Sequence, residues 1–338
     1  MAASVSHDGP SFGRGRRKAD APARRGAGQG SAPGGTVAGP AGSPRISEGR
    51  GLAGLLFVAP ALTVSLVFVI IPFANTVRLS FTDATFSDPG SFVGLDNYVR
   101  MLSDPSVHTG LLNSFVYVVC VVPCMVFLPL ILASLVAGNS RVLAFFRAAF
   151  YLPVVVSSVI VGLMWTNLLS AKGLANSLLL SSHLIGEAIP FLTGRWLLLF
   201  SAMAITIWTG LGYYMIIYLS ALANIDAGLY EAAELDGAGV IRRFLHVTVP
   251  GCRSTMVLIT LLSSAAAFRV FNEIYVLTGG TGGVGGQDVT MTMLIKNYGT
   301  GLSARYGYAG AISMLVFAIV GSLIAIEFHI QRKAGRDA

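Results

Sequence analysis

Six long apolar stretches decide the architecture of this chain: roughly Leu52 to Leu79, Leu111 to Ala137, Ala148 to Leu169, Trp196 to Leu222, Ser254 to Leu277 and Gly307 to Phe328. Each is about 20 residues or more, long enough for a helix to cross the hydrocarbon core of a bilayer. In that medium a segment has to pair its own backbone amides and carbonyls, so the expected fold is an all-α membrane bundle of six transmembrane helices. Composition agrees, since 54% of residues are hydrophobic and only 12% charged, against about a quarter charged in soluble domains.

The net charge of +7 suggests nucleic acid only until the charges are placed. Lys and Arg gather in the first 50 residues and at Arg141, Arg147, Arg242, Arg243, Arg253, Arg332, Lys333 and Arg336. The alternate loops hold Arg100, Lys172, Arg195, Lys296 and Arg305 among Asp83, Asp88, Asp96, Asp104, Glu187 and Asp288. Six crossings leave both ends on one side, and the positive-inside rule makes that side cytoplasmic. A multi-pass membrane protein with cytoplasmic ends follows, in contact with lipid and with no nucleic-acid partner.

Three regions are expected. Residues 1–50, rich in Gly, Ala, Pro, Ser and Arg, form a disordered basic cytoplasmic tail, because they lack the large apolar side chains that pay for folding. Residues 51–330 are the membrane domain, and 331–338 a short cytoplasmic tail. Arg16-Arg17 and Ala59-Pro60-Ala61 do not make a cleaved signal: no apolar region directly follows the arginine pair, and the first apolar run continues past Ala61 to Ile71. Cys120 and Cys124 share a helix face and Cys252 lies in a loop, which indicates neither a disulfide framework nor a zinc site.

The loop of residues 223–253, between the fourth and fifth stretches, carries its own structure. Asp226 can cap a helix that continues from Leu229 to Leu235, and Gly237 permits a turn. A second helix from about Val240 to Val247 turns Arg242 and Arg243 outward and keeps Phe244 and Val247 on one face. Pro250 marks the start of the next element. By periodicity alone this is either a docking element or an amphipathic connector lying on lipid.

Glu231-Ala232-Ala233, Asp236-Gly237-Ala238, Phe244 and Pro250 together resemble the EAA coupling motif of ABC-importer permeases. That resemblance implies the type I ABC importer permease fold. It gives Glu231, Ala232, Ala233, Asp236, Gly237, Ala238 and Phe244 the role of docking into a cleft of an ATPase subunit. Two departures are mild: Asp226 stands where the family usually has proline, and Val249-Pro250 where it has leucine-proline. Three further segments are similar to the carbohydrate-uptake branch of maltose and glycerol-phosphate type permeases. They are Phe92-Val93-Gly94-Leu95-Asp96-Asn97-Tyr98, the run from Trp208 to Met215, and the run from Phe271 to Gly280. The resemblance spans about residues 52 to 328. It implies alternating-access uptake of a sugar or sugar-like solute with a second homologous permease subunit, two ATPase subunits and an extracytoplasmic solute-binding protein. ATP and magnesium would sit on the ATPase subunits, leaving this chain a non-catalytic transport subunit with no cofactor or metal. Gly280-Thr281-Gly282-Gly283-Val284-Gly285 spells G-x-G-x-x-G, but it follows a membrane helix, lacks lysine and reads as an external loop.

Charged and aromatic residues inside the spans are the candidates for a solute path. Arg269 and Glu273, four apart on one face of the fifth helix with Asn272 beside them, either line a watery route or form an internal ion pair that orders the bundle. Glu327, near the end of the sixth span, is expected to reach the interface. Trp208, Tyr213, Tyr214 and Tyr218 offer ring faces and hydroxyls to a sugar, or serve only as packing. Two rivals remain at this level: an ion-coupled secondary transporter using Arg269 and Glu273, and a non-transporting membrane scaffold protein.

Overall fold

The computed structural model describes residues Arg50 to Ala334. The expected disordered tail, its arginine pair and the last four residues lie outside them. From Pro60 onward the chain forms one compact unit, and no strand occurs among the described residues beyond an isolated bridge between Thr82 and Phe92.

Six apolar helical spans are present: Leu56–Ser80, Pro105–Val136, Ser158–Ser181, Arg195–Leu222, Arg253–Leu277 and Tyr306–Ile330. The first comprises α1 (Arg50–Ser65), a wider π turn (Leu66–Ile70) and α2 (Ile71–Ser80). Pro72 follows the wide turn; it has no amide hydrogen and crowds the carbonyl four residues back, so the regular ladder cannot be kept there. After the short α3 (Asp96–Met101), α4 (Pro105–Val136) makes the second span.

The third stretch departs from expectation. Residues 141–155 form a separate helix, α5 (Arg141–Val155), the chain is extended at Val156 and Ser157, and α6 (Ser158–Leu169) and α7 (Leu174–Ser181) make the span. Val154-Val155-Val156 followed by two serines supplies little helix propensity, which favours the break there. The fourth span is α8 (Arg195–Leu222), and the sixth lies within α15 (Tyr306–Ala334).

The core lies where α4 packs against α8, with Tyr117, Leu130, Leu198, Met215 and Tyr218 fully buried. Small residues let the helices close. A Cβ on Gly212 would collide with the Phe150 carbonyl oxygen of α5. Gly212→Val is therefore expected to cost about 1–3 kcal/mol through overpacking; a lowered melting temperature of the detergent-solubilised chain would show it.

At the end of the bundle away from the 223–253 loop, the connections are stapled rather than loose. Asn97 donates to the carbonyls of Ser80 (3.0 Å) and Thr82 (2.8 Å), and the Tyr98 hydroxyl donates to Ser80 Oγ (2.8 Å). This clamp gives the Asn97-Tyr98 pair a physical role: it ends the first span. Asn113 of α4 likewise donates to the Gln287 and Val289 carbonyls, each at 2.9 Å, and so holds the end of the glycine-rich loop.

Asp288 in that loop is 1% exposed, and among the described residues neither of its carboxylate oxygens has a hydrogen-bond partner. Burial pushes its pKa up to about 6, against the opposing pull of Arg195. A carboxyl whose pKa is higher in the folded chain than in the unfolded one weakens the fold as pH rises from its unfolded value towards its folded value. Asp288→Asn is thus expected to raise the melting temperature at about pH 8 and to change it little near pH 4. A pH series of thermal unfolding on both chains checks the sign.

Candidate functional site

The fifth span is broken. Its first helix, α12 (Arg253–Phe268), ends at Arg269 (φ −97°, ψ 17°), and α13 (Asn272–Leu277) begins only after Phe271 (φ −141°, ψ −56°). Val270 lies in the gap, and its carbonyl accepts from Thr290 Oγ1 at 3.0 Å, which keeps a buried backbone group satisfied. This corrects the expectation that Arg269 and Glu273 share a helix face, which required a continuous helix between them. Arg269 donates through Nε to Ala265 O at 2.9 Å at an exposed position. Glu273 points to the other side of the break, and among the described residues no ion pair joins the two.

Two helix breaks face each other across the bundle. Asn272 Nδ2 donates to Ser158 Oγ at 3.4 Å, linking the gap in the fifth span to the one before α6. Between them is a cavity of about 300 Å³ lined by α8, α12, α4 and both broken segments. Its polar groups are Ser158, Thr206, Thr209, Tyr213, Tyr214, Ser263 and Glu273, set among Val121, Met125 and Ile205. Thr206 is fixed by a 2.6 Å hydrogen bond to the Tyr117 hydroxyl, and the Tyr213 and Tyr214 rings meet edge to face at 5.2 Å. Several hydroxyls, one carboxylate and an apolar body can hold a small hydroxyl-bearing molecule by hydrogen bonds and ring contact.

The sequence candidates divide around this cavity. Tyr213, Tyr214 and Glu273 line it, and Asn272 sits at its edge through Ser158. Trp208 instead faces a separate apolar groove of about 600 Å³ with Phe146, Phe150 and Pro153, and meets Trp165 edge to face at 5.6 Å. Tyr218 is fully buried and donates to Val126 O at 2.9 Å, so its hydroxyl is used in packing α8 against α4. Glu327 does not reach outward as expected: Ser264 Oγ of α12 donates to its Oε1 at 2.8 Å, because the small serine leaves it an inward partner. Sequence reading missed Ser158, Thr206, Thr209 and Ser263. The signal was there for two of them, since Thr206, Thr209, Gly210, Tyr213 and Tyr214 recur at helical spacing on one face of α8.

The 223–253 loop forms a second element of the site. Asp226 Oδ1 accepts from the Gly228 amide at 2.9 Å and caps α9 (Ala227–Leu235). Gly237, at φ +74°, turns the chain, and its amide and that of Ala238 close on the carbonyls of Glu234 (3.0 Å) and Ala233 (2.9 Å). Next come α10 (Val240–Arg243), a π turn (Phe244–Thr248) and α11 (Val249–Gly251). The helix thus runs through Pro250, and the break expected there comes at Cys252 (φ −94°, ψ 5°). Glu231, Ala232, Asp236 and Gly237 are exposed, Ala233 and Ala238 half-buried, and Phe244 packs on the bundle. Leu235 at 89%, Ile241 at 76% and Val240 at 73% exposure, a cluster the sequence reading did not single out, present apolar side chains outside the spans.

Comparison with known proteins agrees with this arrangement. Residues 105–326 match the family described as binding-protein-dependent transport system inner membrane component. The lactose transport system permease protein LacF of Rhizobium radiobacter is 33% identical over 285 residues, covering 83% of this chain and 94% of the relative. The trehalose/maltose transport system permease protein MalF of Thermococcus litoralis is 31% identical over 282 residues, covering 82% and 93%. A crystal structure of a bacterial alginate ABC transporter in complex with alginate pentasaccharide-bound periplasmic protein contains a chain of the same fold, with a TM-score of 0.73 at 20% identity over 85% of this chain and 96% of that one. With the match extending from the second span into the sixth, the chain belongs to the binding-protein-dependent transport system inner membrane components.

Proposed function

We propose that this chain is a permease subunit of an ATP-driven importer that moves a sugar or sugar-like solute by alternating access, with the 223–253 loop as the point where an ATPase subunit docks. The observation that carries the reading is the pairing of a hydroxyl-lined cavity at two helix breaks with an exposed apolar patch on a structured loop of the same chain. Relatives named for lactose and for trehalose and maltose transport support the solute class. The distribution of Lys and Arg supports a cytoplasmic position for the loop and both termini.

In this reading the solute rests against the Tyr213 and Tyr214 rings while Glu273 accepts hydrogen bonds from its hydroxyls. Thr206 and Thr209, held on one face of α8, complete the contact. A second homologous permease closes the open side of the cavity, and an extracytoplasmic binding protein delivers the solute. Two ATPase subunits hold ATP and magnesium. Nucleotide shifts the bundle between its two states only through contacts that differ between them, and the loop is where those contacts are passed on. Arg269 donates to the Ala265 carbonyl while Glu273 lines the cavity, which supports the solute-path reading of Glu273 over joint ion coupling by the two residues.

The test is purification of this chain with its co-expressed neighbours in lipid nanodiscs, followed by ATPase assays with the cognate binding protein and a panel of sugars and sugar phosphates. Stimulation by one of the panel is expected. Failure of any ATPase subunit to copurify would restore the ion-coupled alternative.

A further inference from the structure

α9 is a rigid rod with no buried residue of its own. Any displacement of it can reach the fifth span by two routes. Along the backbone the route passes Gly237 at φ +74°, then Gly239, then the π turn Phe244–Thr248. Glycines and wide turns are the compliant parts of a chain. The second route is a direct cross-link. The Tyr230 hydroxyl and Thr248 Oγ1 lie 3.0 Å apart, 18 residues apart in sequence, and Thr248 is 4% exposed at the foot of the fifth span. Beside it Ile225 is seated on Gly251, where a Cβ would come within 2.6 Å of Ile225 Cδ1. Residues 225–230 and 248–251 are therefore clasped by one polar and one apolar contact. The other side-chain bond from α9 among the described residues, Glu234 to Arg243, joins α9 to α10 at the surface, ahead of the π turn. Exposed pairs of that kind contribute little.

We infer that Tyr230 is a positioning residue whose hydroxyl bond to Thr248, the last residue of the π turn, passes movement of α9 to the segment that leads into the fifth span without going through Gly237, Gly239 and the rest of that turn. Backbone bonds from the Cys252 amide to Thr248 O (3.0 Å) and from the Met256 amide to Cys252 O (2.8 Å) carry the motion across the turn at Cys252, so α12 moves with α9, and α13 with its Glu273 follows α12. This rests on the proposed docking of an ATPase on the loop, and the test separates the two.

The complex of this chain with its copurified ATPase subunits, in nanodiscs, is spin-labelled at Leu229 on α9 or Leu262 on α12, each paired with Leu135 on α4. All three positions are exposed, and Cys120 and Cys124 are replaced by serine. Distances are measured by pulsed electron paramagnetic resonance before and after trapping with ATP and vanadate. With Tyr230 intact both distances shift. Tyr230→Phe keeps the ring and removes only the hydroxyl, so the Leu229 shift persists while the Leu262 shift falls to roughly half or less. Thr248→Val, of nearly the same shape, gives the same result; Thr248→Ser retains the full shift. The Tyr230→Phe/Thr248→Val pair is no worse than either alone, as expected of two residues acting through one bond. An unchanged Leu262 shift in both single variants overturns the inference while leaving docking intact. No Leu229 shift in the parent complex overturns docking, and this inference with it.

Discussion

Glu273→Ala lowers solute uptake by roughly tenfold to a hundredfold if the cavity is the solute path, the range for losing hydrogen bonds to a charged acceptor at about 1.5–3 kcal/mol. The carboxylate is the one charged group among the residues lining the cavity, and it lies in the first turn of α13, just past the break in the fifth span. Glu273→Gln keeps an acceptor without the charge and is expected to fall between the two. Uptake into proteoliposomes, set against the yield of assembled complex, is the measurement. A variant that loses assembly in proportion to uptake would mean that the carboxylate orders the bundle around Tyr117 and Asn272 instead. Thr206→Val offers an internal control: it removes a hydroxyl from the same cavity and also unpairs Tyr117, so its effect on uptake should be accompanied by a measurable loss of stability.

What could be read from the sequence and what could not divide along a physical line. Six apolar runs specify six spans because lipid offers the backbone no other partner, and the structure has them. Asp226 and Gly237 were legible as cap and turn because both depend on local backbone chemistry, and both behave as expected. The breaks at Val156-Ser157 and at Arg269 to Phe271 were not legible. Hydropathy is continuous across them, and what stabilises the second is a hydroxyl from Thr290, twenty residues away in sequence. Losing that break put Arg269 and Glu273 on one face in the sequence reading. Tyr218 was assigned to the path by its neighbourhood on α8, but its hydroxyl is used by a carbonyl on α4, a partner that only tertiary packing supplies. Thr206 and Thr209 recur with Tyr213 and Tyr214 at helical spacing on α8, but spacing alone does not distinguish a face that lines a cavity from one that packs on a neighbouring helix.

Gly237→Pro is expected to reduce solute-stimulated ATPase activity by at least about tenfold with all six spans still inserted. Gly237 stands at φ +74°, and its amide donates to Glu234 O at 3.0 Å. Proline is locked near φ −65° and has no amide hydrogen, so it removes the bond and forces the turn open, at about 3 kcal/mol or more. Gly237→Ala separates the two causes. Nothing lies within 4 Å of where its Cβ would be, so the methyl meets no clash and only the left-handed backbone strain of about 1 kcal/mol remains. A graded loss, proline well beyond alanine, shows that the geometry of the turn matters. Leu235→Asp leaves the turn alone and places a charge in the apolar patch instead; if an ATPase subunit seats there, desolvating that charge weakens docking and lowers the stimulated rate. Full stimulation in both Gly237→Pro and Leu235→Asp would return the loop to the status of a connector on the lipid surface. Loss in Leu235→Asp with an unchanged melting temperature ties the exposed patch to a partner, since an 89% exposed side chain has little to contribute to the fold of its own chain.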